Sequence, residues 1–213
     1  MTHGFNKTNI SAAMPCSHGC QDHIHGSAGT KHSLLSKIDQ NNIECLNEAI
    51  GDSGKSVFVP WEARLENHIV SSDVDPELLF NVPFNGFVKI NSLTLIGGDH
   101  PECFPSTLKL YNAKKRFTFD DVSLKCDQEF QLVQDFDGTI EYLVKSAKFS
   151  SVSNLVMFFS DNYGSESTKI RFIQIAGEFV KEFRKEVLIT NYEIAPNPAD
   201  HKVDQFTKVL HQI

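Results

Sequence analysis

Residues 73–98 constrain this chain more than any other stretch. Leu78, Leu79 and Phe80 form a short apolar run, Pro83 follows it, and Asn85-Gly86 separates it from Phe87, Val88 and Ile90. A proline gives no N–H to a ladder and is tolerated only at edges, strand starts and bulges. An Asn-Gly pair accepts positive φ, and between apolar runs it is the strongest short hairpin signal. The stretch therefore predicts a short strand, a tight turn at Asn85-Gly86 and a longer second strand. Within that second strand the apolar phase changes, with Val88 and Ile90 on one parity and Leu93 and Leu95 on the other. One buried face survives the switch only if an extra residue is inserted, so a bulge is expected near Asn91-Ser92. The two strands are expected at the centre of an antiparallel sheet.

Composition supports β structure. Seventeen phenylalanines stand against three methionines and one tryptophan, and aromatic residues favour pleated, half-buried surfaces. With 213 residues the chain is long enough to bury a sizeable core. Twenty basic and 27 acidic residues leave a formal charge of −7, so no basic stripe invites a phosphate backbone and nucleic acid is not expected as a partner. No apolar run approaches the roughly 20 residues that span a bilayer, and the first residues lack an apolar signal core. A cytoplasmic protein is expected, with the nucleus as a second compartment and no membrane partner. Five cysteines, an odd number, fit a reducing compartment, and no structural disulfide is expected.

Residues 1–33 are rich in Ser, Gly, Asn, Thr and His and predict a disordered leader. Within it Cys16, His18, Cys20, His23 and His25 place five metal-ligand side chains in ten residues. The Cys16 to Cys20 spacing suits a paired zinc ligand, whereas His23 and His25 stand closer than usual and no second ligand pair follows. A solvated leader is the expectation, with metal binding through these five residues as an alternative and no cofactor expected elsewhere.

Residues 34–46 fit a short helix or an irregular packing segment. Strands are expected at 56–59, 68–70, 107–111, 130–133, 139–144, 154–159, 168–176 and 187–192, with turns at Asp135 to Gly138 and Asn162 to Ser167. The continuous apolar run from Leu155 to Phe159 predicts a strand buried on both faces. From Ile170 and Phe172 to Ile173 and Ile175 the parity slips again, which predicts a second bulge or a strand passing between environments. The lone Trp61, beside Pro60, reads as a core plug or a cover over a sheet edge. About eight to ten short antiparallel strands without a convincing helix make an all-β fold, a sandwich of the jelly-roll type. The expected organisation is a leader over 1–33, a sandwich over 34–203 and a tail over 204–213.

No nucleophile elbow, phosphate loop, dinucleotide fingerprint or paired-histidine zinc motif occurs. Asp99, His100, Glu102 and Cys103 share a loop without the spacing of any motif. No catalytic residue is assigned, and an enzyme is not expected.

Several short motifs carry a resemblance: Cys45-Leu46-Asn47-Glu48, Pro60-Trp61-Glu62, Ser72 to Asp75 with Glu77 to Phe84, Gly86, Pro105-Ser106 with Leu110-Tyr111, Phe119-Asp120-Asp121, Gly177-Glu178, Asn191-Tyr192-Glu193 and Asn197 to His201. In this order the chain resembles the PITH domain, named after the proteasome-interacting C-terminal domain of a thioredoxin-like protein, and its leader resembles that of stand-alone members. The resemblance implies a jelly-roll β-sandwich and a role in binding the 26S proteasome regulatory particle, and offers no catalytic residue; a monomer is expected. Too few residues precede Leu34 to make a thioredoxin domain, so redox activity is not carried over. Trp61 with Asn191, Tyr192, Glu193, Asn197, Pro198, Asp200 and His201 is the expected contact surface. A small-ligand or glycan-binding jelly roll is the alternative, by analogy of fold.

Overall fold

A computed structural model describes residues 33–183. The Cys16 to His25 cluster, the expected strand at 187–192, the Asn191 to His201 contact segment and the 204–213 tail lie outside the described residues. Eight strands and six single 3-10 turns make up the described chain: β1 (Glu44–Leu46), β2 (Val70–Ser71), β3 (Leu78–Gly97), β4 (Pro105–Ala113), β5 (Gln128–Gln131), β6 (Glu141–Leu143), β7 (Val152–Asn162) and β8 (Lys169–Glu182). All pairings between them are antiparallel.

β3 runs for 20 residues. Held straight at about 3.3 Å per residue it would reach roughly 66 Å, well beyond the roughly 40 Å width of a domain this size. It serves two layers instead. Residues Leu78 to Pro83 lie between β1 and β7, and residues Gly86 to Gly97 lie along β8, with β6 on the other side at Ser92 to Thr94. β4 and β5 extend the first layer beyond β7, and β2 extends the second beyond β8. One core fills the space between: Phe80, Val82, Leu93 and Leu95 of β3 meet Leu108, Leu110, Leu155, Met157, Phe159, Ile173 and Ile175. Phe80, Phe104, Phe149 and Phe159 are fully buried, each contributing about 2–3 kcal/mol by leaving water.

The expected hairpin at Asn85-Gly86 is not formed. The chain passes through as one strand, and neither residue has positive φ. Pro83 fits because β1 pairs only with Leu79, Phe80 and Asn81, and past that point the Pro83 carbonyl accepts from Asp39 N at 2.9 Å. The missing N–H faces that same unladdered side. Gly86 is required for approach rather than for a turn, since a Cβ there would lie 2.5 Å from the Lys181 carbonyl oxygen and 2.8 Å from the Phe179 ring.

Both phase slips have the expected cause. Ile90 pairs with Gly177 and Ser92 with Ala176, leaving Asn91 as the extra residue of a bulge. Val88, Ile90, Leu93 and Leu95 thus all face the core. On β8, Gly97 pairs with Ile170 and Ile96 with Phe172, so Arg171 is the extra residue, and Ile170, Ile173 and Ile175 share the core face. Phe172 is left on the outer face, fully buried nonetheless.

Other expected strands at 68–70, 107–111, 130–133, 139–144, 154–159 and 168–176 correspond to β2, β4, β5, β6, β7 and β8. The expected strand at 56–59 is instead a 3-10 turn, Ser53–Val57. Val57 and Phe58 are buried there, with Phe58 edge-on to Phe80 at 6.1 Å. Their apolarity reflects burial, which both conformations satisfy. A second cluster of Leu79, Tyr111, Phe117, Val156 and Phe158 covers the outer face of the first layer.

Candidate functional site

Several of the described motif residues hold loops or close strand contacts. Asn47, at φ 67°, donates through Nδ2 to Asp75 Oδ1 and to the Glu77 carbonyl, both at 2.7 Å, and its Oδ1 accepts from Val74 N. Glu48 accepts from the backbone N–H groups of Asp52 and Gly54 at 2.6 Å each. Asp121 accepts from Thr118 N and pairs with Lys115, which hold its carboxyl below the usual range. Gly177 lies so close to the Lys89 carbonyl that a side chain would overlap it. These are the groups that fix connections which strand pairing alone leaves unsatisfied.

Trp61 covers the outer face of the second layer. Its ring meets Phe172 edge-on at 5.8 Å, and the Arg64 guanidinium lies 4.3 Å from its centroid. Arg64 also donates from Nε to the Asp137 carbonyl at 3.2 Å, joining this cover to the 133–138 loop. There the buried Asp135 carboxylate accepts from the N–H groups of Asp137, Gly138 and Ile140 at 2.7 to 3.0 Å. Gly138, at φ 79°, completes the turn under Trp61, where a Cβ would lie 3.2 Å from Cη2.

That loop meets two others at one end of the sandwich. Phe104, packed against Gly97, anchors Phe136 at 6.3 Å and Tyr163 at 6.4 Å between ring centroids. Tyr163 Oη donates to the Leu132 carbonyl at 2.6 Å, beside Val133. Gln134 donates to the Pro101 carbonyl at 3.0 Å, and Asn162 Oδ1 accepts from Gly164 N and Ser165 N. Val133, Phe136 and Tyr163 remain 56%, 38% and 44% exposed. Sequence reading missed this cluster because its members sit in separate loops. The local signals were the turns at Asp135 to Gly138 and Asn162 to Ser167, which mark Phe136 and Tyr163 as loop-tip aromatics.

The PITH domain model matches residues 25–196. The chain belongs to the PITH domain family. It is 46% identical to PITH domain-containing protein 1 of Xenopus laevis over 84% of this chain and 86% of that one. The human protein of the same name is 41% identical over 87% of this chain and 88% of its own. Among solved structures, that of the CBM32-1, CBM32-2 and M60 catalytic domains of ZmpB from Clostridium perfringens matches with a TM-score of 0.50 and 13% identity. It covers 67% of this chain and 14% of that chain, and the likeness is one of fold, the jelly-roll sandwich.

A groove of about 240 Å³ opens on the PITH domain between Glu44, Cys45, Glu48, Asp52, Lys55 and Arg116. No aromatic side chain lines it. Its charges are largely paired with one another, Lys55 with Asp52 at 2.7 Å and Arg116 with Glu44 at 3.6 Å. Burial, and then the nearby Glu48 carboxylate, push the Cys45 thiol far above its ordinary range, the opposite of what a nucleophile needs. Cys45, Cys103 and Cys126 are free thiols. Among the described residues no group of three or more His, Cys, Asp or Glu could hold a metal ion, and Asp99, His100, Glu102 and Cys103 converge on no common point. No helix among them is long and apolar enough to cross a membrane.

Proposed function

We propose that this PITH domain protein is a non-catalytic interaction module of the cytoplasm that docks as a monomer on the regulatory particle of the 26S proteasome. The observation that carries the reading is the use made of the family motifs. Asn47, Glu48, Asp121 and Gly177 are each spent on fixing a loop or a close strand contact, so what these motifs maintain is the shape of a surface. A raised Cys45 thiol and a self-paired groove beside it fit a role in which recognition rather than chemistry is performed. Trp61 and the segment containing Asn191, Tyr192, Glu193, Asn197, Pro198, Asp200 and His201 are the proposed contacts.

The test is capture of the tagged full chain from cell lysate with quantitative mass spectrometry, beside a variant lacking residues 191–213. Enrichment of regulatory-particle subunits by the full chain, lost in a truncated variant that keeps its thermal transition, is the expected result. Failure of any proteasome subunit to rise above background contradicts the reading.

A further inference from the structure

The end of the sandwich built around Phe104 has two properties together: a fixed apolar patch and a predominantly acidic rim. Isolated exposed apolar side chains are ordinary, but contiguous ones on a rigid base mark contact sites. Val133, Phe136 and Tyr163 are contiguous, because Phe136 and Tyr163 share Phe104 and the Tyr163 hydroxyl is tied beside Val133. They are also preorganised. The Asp135 and Asn162 side chains hold the backbone of their loops, and Gln134 ties two loops together. Ordering these rings on binding therefore costs little further entropy.

The rim decides the occupant. Segments 98–104, 133–138 and 161–167 contain no lysine or arginine. Glu102, Asp137, Asp161 and Glu166 are exposed on them, and Asp99 is taken up by Arg171. Of the basic groups beside these segments, Arg64 is engaged with the Trp61 ring and the Asp137 carbonyl, and Lys169 lies against Gly98, so the four exposed carboxylates outnumber the cations. An aromatic centre within a carboxylate rim complements an apolar side chain flanked by lysines or arginines. It repels an acidic peptide.

We infer that Val133, Phe136 and Tyr163, with Glu102, Asp137, Asp161 and Glu166 around them, form the docking surface for a basic, apolar-anchored segment of a protein partner. The inference rests on the docking reading above and names the surface and chemistry of that contact. It adds to the Trp61 region, which adjoins this surface through Arg64 and Asp137.

The experiment is biolayer interferometry of the full chain on immobilised 26S proteasome at low and high salt. The variants are Val133→Ser/Phe136→Ser, Glu102→Lys/Glu166→Lys, and a control, Ile50→Ser/Val180→Ser, which removes exposed apolar groups elsewhere. The expected result is an affinity loss of at least about tenfold for the apolar pair, the scale of a hot-spot residue. The charge-reversed pair should bind more weakly at low salt and lose its salt dependence, while the control matches wild type. Thermal transitions within a few degrees of wild type confirm that the variants are folded, and the charge-reversed pair, wholly on the surface, keeps the test decisive if the apolar pair is not. Wild-type binding that neither patch variant weakens overturns the surface and leaves the docking reading standing. No wild-type binding removes both. Binding abolished by excess free galactose overturns the protein-segment assignment in favour of a glycan.

Discussion

The side-chain amide of Asn81 does for Phe117 what a neighbouring strand would do. Asn81 Nδ2 donates to the Phe117 carbonyl at 3.0 Å, and Asn81 Oδ1 accepts from Phe117 N at 2.8 Å. Asn81 is wholly buried in β3, and the pair ties the loop after β4 over the second cluster formed by Leu79, Tyr111 and Phe158. Asn81→Ala leaves a buried donor and a buried acceptor without partners, which costs about 2–4 kcal/mol. Asn81→Asp keeps the shape, loses the donor and buries a charge, so its loss at neutral pH is at least as large. Urea unfolding measures both, and a loss under about 0.5 kcal/mol in either would contradict the role assigned to this pair.

Three glycines separate close approach from simple exposure. Alanine at Gly86 or Gly177 meets a backbone carbonyl oxygen, of Lys181 or Lys89 respectively. The paired strands must move, at a cost of about 1–3 kcal/mol. At Gly51 a Cβ has nothing within 4 Å, and Gly51→Ala is expected within about 0.5 kcal/mol of wild type, on the stabilising side if anywhere. Thermal denaturation of the three variants in parallel provides the check; equal effects would show that the strand approach at Gly86 and Gly177 is not limiting.

Removing Trp61 uncovers Phe172 and frees Arg64. Trp61→Ala is expected to lower stability by about 2–3 kcal/mol, below the cost for a fully buried tryptophan because the residue is only partly buried. Trp61→Phe retains an edge contact with Phe172 and loses less. Circular dichroism is the appropriate probe, since the chain has a single tryptophan. If Trp61→Ala unfolds at the wild-type midpoint, Trp61 covers nothing of consequence.

The alkaline limb of stability follows from three groups. Burial raises the Cys45 thiol, and burial is also the first cause of the upward shifts of Tyr111 and Tyr142. Each folded pKa lies above its unfolded value, so the stabilisation is fully present below the unfolded pKa and is lost as pH rises. Loss should begin near pH 8.5, the ordinary cysteine value, and steepen near pH 10 as unfolded tyrosines ionise. The Asp121 shift runs the other way and withdraws its contribution as pH falls below about 4. The raised pKa keeps the Cys45 thiol protonated, so Cys45, although it lines the groove, is expected to resist iodoacetamide at pH 8 in the native protein. Alkylation of Cys45 as fast as in urea would contradict this.

Where a burial rule acts over the strand itself, the sequence was legible. The phase changes at Ile90 to Leu93 and at Ile170 to Ile173 required inserted residues, and Asn91 and Arg171 are those residues. The Leu155 to Phe159 run required cover on both faces, and it has core residues on one face and the second cluster on the other. Asn85-Gly86 was misread because a turn preference is local, whereas the demand on Gly86 comes from Lys181 and Phe179, nearly a hundred residues away. The Phe104 end was not legible for the same reason. Val133, Phe136 and Tyr163 occupy loops whose convergence depends on β4, β7 and the Asp135 turn, and no periodic pattern marks an exposed aromatic in a loop.

The central claim, docking on the proteasome regulatory particle, is tested most directly by density-gradient sedimentation of the purified full chain with purified 26S proteasome, and separately with the 20S core. The account predicts that the chain migrates with the 26S particle and stays at the top of the gradient with the core alone. A chain that remains at the top in both gradients contradicts it.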